Sequence, residues 1–274
     1  MAANKSRGKQ QRYLCRDCKK TFIKDLGFWK MKHTENIITM CVDMYLSNLS
    51  SRKMRNQLKR HFGLKLSHET ILRWVRKYIQ KVQSYVDKLK PKLSGKVYAD
   101  ETEVDCENRS DIFWCAVDWD TRFINATLYS PKAQNVPDAI EFMKRVLKSG
   151  RPKFVQTDGL QQYRKAMRKV FWSPYKGNEV KHIANNVRLT KKHNVRIETV
   201  FMKIKDRVLD FRGFKAVWSA PILMAGIVLQ HNFIEKHSTT GKVPCELAGI
   251  DTLKEDNRWL KLIELSSQLN LCKL

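Results

Sequence analysis

A chain of 274 residues can build one sizeable core and a smaller module, but not several large domains. An apolar fraction of 42% implies a packed interior rather than a disordered polymer. The 53 Lys and Arg against 27 Asp and Glu leave a formal net charge of +26, and so large a positive field points to a polyanionic partner, most simply nucleic acid.

In chain order, Met1 to about Phe28 is a basic arm holding one Cys-x-x-Cys, Cys15 and Cys18. Its start, Met1 to Arg12, is polar and basic, with no apolar stretch of a secretory signal. Seven irregularly spaced Cys fit an intracellular, reducing compartment better than a disulfide framework, and a cytoplasmic, nucleoid-associated protein is expected. Two thiolates at this spacing supply half of a tetrahedral zinc site. The other reading is two ordinary reduced thiols.

Residues 34–89 are expected to be all-helical. Ile37, Ile38, Cys41, Val42, Tyr45 and Leu46 recur at helical spacing. Ser50 is a plausible N-cap before Met54, Leu58 and Phe62, Gly63 ends that helix, and Ser67 caps the next. Ser50 to Tyr78 thus has the layout of a helix-turn-helix. In such a unit the first residues of the second helix reach base edges, here Ser67, His68, Glu69, Thr70 and Arg73, while flanking cations such as Lys77 meet phosphates. An ordinary helical hairpin with solvated charges fits the pattern equally well. The basic excess of the chain favours DNA.

Lys90 to Lys96, with Pro91 and Gly95, reads as a linker. From Val97 the pattern becomes mixed. Strands are expected at about Val97–Val104, Ile112–Val117, Phe123–Tyr129, Phe154–Thr157 and Val180–Ile183. Helices are expected at about Val136–Lys148, after Gly159, and at Val195–Val208, giving a mixed α/β sheet over 97–250. The longest apolar run, Ala220 to Leu229, is too short to span a bilayer and reads as a buried helix. Residues 251–274 read as a C-terminal tail.

Three acids fall at telling places: Asp100 within a strand (VYADET), Asp158 just past one (FVQTDG), and Glu198 on the long helix (NVRIETVFMKIK). Taken singly, each is explained as a cap or a surface carboxylate, as when an Asp precedes a Gly at a helix start. Taken together, carboxylates from different elements are what two Mg²⁺ ions roughly 3.5–4 Å apart require.

These segments resemble the insertion-sequence transposases of bacteria and archaea, most closely the IS6 family. The similar stretches are ADET from Ala99, Phe113 to Pro131, QTDGLQQYRKA from Gln156, Asn194 to Ala216 and His231 to Ile250, with the helix-turn-helix before them. The resemblance covers nearly the whole chain. It implies an RNase H-like catalytic domain, preceded by a helix-turn-helix domain and a partial zinc-ribbon-like arm. It further implies Asp100, Asp158 and Glu198 as the catalytic carboxylates holding Mg²⁺ or Mn²⁺, and Lys205, two turns beyond Glu198 on nearly the same helix face, as a DNA contact. Tyr163 and Asn194 match motif positions without an assigned role.

The implied reaction is DNA cleavage and strand transfer, on double-stranded element ends and target, by a homodimer or higher oligomer. The alternatives are a catalytically inactive, domesticated relative acting as a DNA-binding regulator, and a nuclease without strand transfer. Two departures stand out. The interval from Asp158 to Glu198 is a few residues longer than the family's, which makes Glu179 a rival third ligand, and only the second half of the zinc ribbon is present.

Overall fold

A computed structural model of the chain describes residues 12–23, 26–131, 135–175, 179–184, 195–250, 253 and 255–268. The chain divides into two compact units, Met1–Leu89 with Leu253–Leu274, and Lys90–Thr252. Among the described residues, no helix is long and apolar enough to cross a membrane.

The first unit opens with a hairpin, β1 (Arg12–Leu14) and β2 (Thr21–Ile23), paired antiparallel. Three helices follow, α1 (Glu35–Leu46), α2 (Ser51–Phe62) and α3 (His68–Val86). The caps are those the sequence calls for. Ser50 Oγ accepts from the Lys53 N–H at 3.3 Å, and Ser67 Oγ accepts from the Thr70 N–H at 3.1 Å. Between them Gly63 takes a φ of 63°, and the Leu64 N–H reaches back to the Leu58 carbonyl at 3.2 Å, so α2 stops and the chain turns into α3.

The buried stripes are Ile38, Cys41, Val42, Tyr45 and Leu46 on α1, Met54 and Leu58 on α2, and Ile71, Trp74, Val75, Tyr78, Ile79 and Val82 on α3. Phe62, expected on the α2 apolar face, is exposed. It sits in the last turn, beyond the reach of the packed stripe. Residues 251–274 are not simply a tail: Arg258–Gln268 forms a helix that packs on α1 and α3 and buries Trp259, Leu262 and Ile263. Asn257 Nδ2 ties its start to Thr39 Oγ1 at 3.0 Å.

The second unit is a five-stranded mixed sheet in the order β5-β4-β3-β6-β7, with β3 Lys96–Cys106, β4 Arg109–Asp118, β5 Ile124–Ser130, β6 Phe154–Thr157 and β7 Lys181–Ala184. The first three strands are antiparallel, and β6 and β7 run parallel to β3. On one face lie α4 (Val136–Ser149) and α5 (Gln161–Phe171), which with Val97, Ala99, Trp114, Ala116 and Val155 of the strands form the core. Contacting β3 and β4 is α6 (Val195–Asp210), whose Ile197, Val200, Phe201, Ile204 and Val208 are buried.

The apolar run predicted as a buried helix is α7 (Ala220–Leu229), continued by a π turn, Gln230–Ile234. That turn buries Asn232, whose amide accepts from the Ile124 N–H at 2.8 Å and donates to the Ile124 carbonyl at 2.9 Å, completing the ladder at the start of β5. A short helix, α8 (Pro244–Leu247), precedes the C-terminal helix, α9 (Arg258–Gln268).

Candidate active site

The site sits where β6 ends. That strand pairs with β3 only along Lys96–Tyr98, so at Asp100 and Glu101 the β3 backbone has lost its parallel neighbour. Asp158 follows the last residue of β6. Gly159 turns the chain with a φ of 89°, where a Cβ would also lie 3.3 Å from Ala184. Asp158 Oδ1 accepts from the Leu160 N–H at 3.0 Å, and the turn is braced from behind by Thr157 Oγ1, which meets His182 Nε2 at 2.9 Å and accepts from Gly159 N–H at 3.2 Å.

Successive strand residues point to opposite faces. Asp100 shares the face of its cross-strand partner Cys115, and Glu101 that of Trp114. At the open edge both carboxylates nevertheless reach Asp158. One oxygen from each of Asp100, Glu101 and Asp158 lies within 4.8 Å of the others, the sole such acidic group among the described residues.

The electrostatics follow from this crowding. Burial, and then the charge of Asp158, push the Asp100 carboxyl up to about 7, with Glu198 adding to the repulsion and Lys205 opposing it. Burial also pushes Glu101 up to about 7, against a hydrogen bond from the Tyr163 hydroxyl and with repulsion from both aspartates. Asp158 is raised by burial.

Other buried acids of this unit are handled differently. Asp118 accepts from the N–H and hydroxyl of both Ser94 and Thr121, at 2.8–3.1 Å. Asp111 accepts from Arg109, with Nε at 2.9 Å, and from the Tyr129 hydroxyl. Those two are structural carboxylates satisfied by donors. Each carboxylate at the β6 edge accepts a hydrogen bond too, Asp100 from the Glu101 N–H, Glu101 from Tyr163 and Asp158 from the Leu160 N–H, but these three also bring oxygens close to one another, a set of hard donors that suits a divalent cation such as Mg²⁺.

The predicted site residues distribute as follows. Asp100 and Asp158 are in the cluster. Glu198, half-buried on the first turn of α6, and Lys205, exposed two turns later, both act on Asp100 through their charges. Glu179 is exposed. Asn194 lies outside the described residues. Glu101 is the member not predicted: on an isolated strand it points away from its neighbour, and only the early end of β6 lets the two converge.

In the first unit, Arg73 and Lys77 are exposed on α3, and His68 is half-buried at its start. Lys77 Nζ lies 3.6 Å from Met31 Sδ. Ser67 and Thr70 are engaged in capping, with their hydroxyls 3.0 Å apart. Cys15 and Cys18 flank the β-hairpin turn, where N–H groups of Cys18 and Asp17, and then the Cys18 thiol, lower the Cys15 thiol's pKa. Among the described residues, no third His, Cys, Asp or Glu joins them in a metal-holding group.

A mixed sheet carrying clustered carboxylates at the end of a parallel strand defines a site for hard cations. Residues 94–237 match the DDE_Tnp_IS240 family model, described as a DDE domain. That is more than half of the chain, and the chain belongs to this family.

It is 26% identical over 147 residues to the transposase for insertion sequence-like element IS431mec of Staphylococcus aureus, covering 53% of this chain and 65% of the relative. The transposase for insertion sequence element IS257 in transposon Tn4003, also of Staphylococcus aureus, matches with the same identity and coverage. The chain therefore matches just under two thirds of the length of these curated relatives. Among solved structures, the HTLV-2 integrase catalytic core domain in complex with magnesium (trimeric form) is similar over 58% of this chain and 98% of that chain, at 14% identity and a TM-score of 0.39.

Proposed function

We propose that this chain is an insertion-sequence transposase with an RNase H-like catalytic unit that cleaves DNA at an element's end and joins the freed end to a target. The observation that carries this reading is the convergence of Asp100, Glu101 and Asp158 at the end of β6, with Glu198 and Lys205 acting on Asp100, in a chain of the DDE domain family. Relatives of this family named as insertion-sequence transposases support it.

The residues fit a divalent metal by their chemistry: several carboxylate oxygens, partly buried, with one cationic side chain at the margin. Asp100, Asp158 and Glu198 would hold Mg²⁺ or Mn²⁺. Bound there, two such ions supply Lewis acidity and charge neutralisation to an in-line displacement at phosphorus.

The rest belongs to the chain. The β3 backbone and the Gly159 turn hold Asp100 and Asp158 in fixed register. Lys205 lowers the local negative potential and is suited to a phosphate oxygen. Water is the nucleophile of the cleavage step, releasing a 3′-hydroxyl, and that hydroxyl displaces a 3′-oxygen in the target strand in the second. Each step breaks one P–O bond and forms one. No side-chain nucleophile is required, and no covalent protein–DNA species forms.

End recognition falls to the α2–turn–α3 pair acting as a helix-turn-helix. His68 and Arg73 are suited to base edges and Lys77 to phosphate. Ser67 and Thr70, already bonded to each other, serve chiefly to fix the helix start. Cys15 and Cys18 would contribute two thiolates to a zinc site. Holding two ends together calls for a dimer or larger assembly, in the cytoplasm at the nucleoid.

The test is incubation of the full chain with labelled DNA carrying the element's terminus, with Mg²⁺ or Mn²⁺. Scission at the terminus followed by joining supports the reading. Binding without scission favours the catalytically silent regulator.

A further inference from the structure

The outer face of α5 takes no part in the site just described. Its inner residues, Tyr163, Ala166, Met167 and Phe171, are buried in the core. Its outer residues Arg164, Lys165, Arg168 and Lys169 are all exposed, fall at i, i+1, i+4 and i+5, and so form one stripe. The helix carries no acid, and among the described residues none of these four cations forms an ion pair.

The stripe begins one turn after the acid cluster and ends at two exposed aromatics, Trp172, 75% exposed, and Tyr175, 72% exposed. Arg151 Nη2 donates to the Phe171 carbonyl at 2.9 Å, which fixes where Trp172 leaves the helix.

Four cations on one helix face, unpaired among the described residues, repel one another; the helix C-terminus favours Arg168 and Lys169 slightly, but nothing in the helix balances Arg164 and Lys165. Two large aromatics within four residues, both left in water, are equally without internal purpose. A second copy could cover this stripe only with an acidic patch, which a chain with 27 Asp and Glu against 53 Lys and Arg supplies sparsely, whereas a nucleic acid is anionic throughout. A nucleic-acid strand answers both features, with cations along the phosphates and aromatic faces for bases. The four cations span Arg164 to Lys169, roughly 7.5 Å along the helix axis, which covers about four phosphate charges of a duplex counted over both strands.

Neither Arg or Lys on phosphate nor stacking on an aromatic depends on base identity. The DNA whose sequence is not fixed in transposition is the target. We propose that α5 is a sequence-independent track for target DNA: Arg164, Lys165, Arg168 and Lys169 neutralise its backbone, and Trp172 with Tyr175, at the end of the helix away from the carboxylates, stacks on an unstacked base about one helix length from the joining point. This inference rests on the transposase reading for the identity of the strand, but not for its binding.

Two full-length variants test it, one with all four cations changed to Gln and one with Trp172→Ala and Tyr175→Ala. Both alter only exposed side chains, so thermal melts should stay within about 2–4 °C of wild type, the four-Gln variant losing the small stabilisation of Arg168 and Lys169 at the helix C-terminus. On random-sequence duplex, the slope of log affinity against log salt should shrink by about 3 to 4 in the four-Gln variant, at about 0.9 per phosphate contact. Joining of a pre-cleaved end into that target should fall at least tenfold in both variants, while cleavage of an element end in the absence of target stays within about twofold of wild type.

An unchanged salt slope overturns the track, and so does an equal loss of end cleavage and target joining. A changed oligomeric state with unchanged DNA binding would make this face a contact between copies instead. If wild type neither cuts nor joins, the transposase reading fails separately, and the salt slope still decides whether α5 binds DNA.

Discussion

The phenol of Tyr163, on α5, donates a hydrogen bond to the carboxylate of Glu101, on β3. Tyr163 is fully buried and stands edge-on to Trp114, with ring centroids 5.5 Å apart, so its hydroxyl has little freedom to go elsewhere. The bond joins the helix after Asp158 to the strand carrying Asp100, and turns Glu101 toward both aspartates. Tyr163→Phe keeps the ring packing and removes the donor. It should cost about 1.5–3 kcal/mol of stability, the range for hydrogen bonds to charged groups, and should weaken Mn²⁺ binding measured by calorimetry. A variant as stable as wild type and with unaltered Mn²⁺ affinity would mean that the bond positions nothing.

The clustered carboxylates also set a pH dependence. In the unfolded chain Asp and Glu ionise near their ordinary values, about 4. In the folded, metal-free protein Asp100 and Glu101 are pushed up to about 7. Between those limits the unfolded state releases protons that the folded state keeps, so these groups destabilise the fold increasingly as pH rises from about 4 to about 7, and by a constant amount above. Metal binding needs the ionised forms, so Mg²⁺ should raise the melting temperature more at about pH 8 than at about pH 5. Comparison with Asp100→Asn isolates the site from other titrating groups. Equal Mg²⁺ shifts at both pH values in wild type would contradict the assignment.

How much of this was legible in sequence depends on which forces act locally. The caps at Ser50 and Ser67 and the stop at Gly63 are local chemistry and are where the residues indicate. The core strands were legible from their apolar runs, but the β3–β4 hairpin was not. It continues through Asp105, Arg109 and Asp111 and turns at Glu107–Asn108, both in the left-handed region, without the Asn-Gly signal that marks such turns. Ser110 is held across the strands by Glu103, and Arg109 by Asp111 two residues along the same strand. Asp100 stood out as an acid inside an apolar strand, and Asp158 as one just past a strand. Glu101 did not, because its convergence depends on where β6 ends. The C-terminal helix was missed because its apolar residues gain meaning only against α1 and α3.

That helix yields a prediction. Trp259 is 1% exposed in the first unit. Trp259→Ala should cost about 3–5 kcal/mol there, as for other large-to-small changes in cores. Hydrogen exchange should accelerate at α1 and α3 amides more than at β3 and β4 amides. Unchanged exchange at α1 and α3 would show that α9 is dispensable to that unit.

Gly213 is a second structural test. It follows α6 with a φ of 72°, and a Cβ there would lie 2.4 Å from Asp105 Oδ2. The next residue, Phe214, donates its N–H to the Asp105 carbonyl at 2.9 Å, and its own carbonyl accepts from the Glu107 N–H at 2.9 Å. Gly213→Ala should therefore destabilise by about 1–3 kcal/mol through backbone strain and collision. A denaturation midpoint equal to wild type would refute this.

The central claim is that Asp100, Asp158 and Glu198 together carry metal-dependent DNA scission. Its most direct measurement is cleavage of a labelled element end with Mg²⁺ or Mn²⁺ by wild type, Asp100→Asn, Asp158→Asn and Glu198→Gln, with end binding measured in parallel. The expected result is scission by wild type only, with each variant reduced by at least about a hundredfold, roughly 2.7 kcal/mol in the barrier, while end binding is retained. An active wild type whose three variants cut equally well would contradict the account.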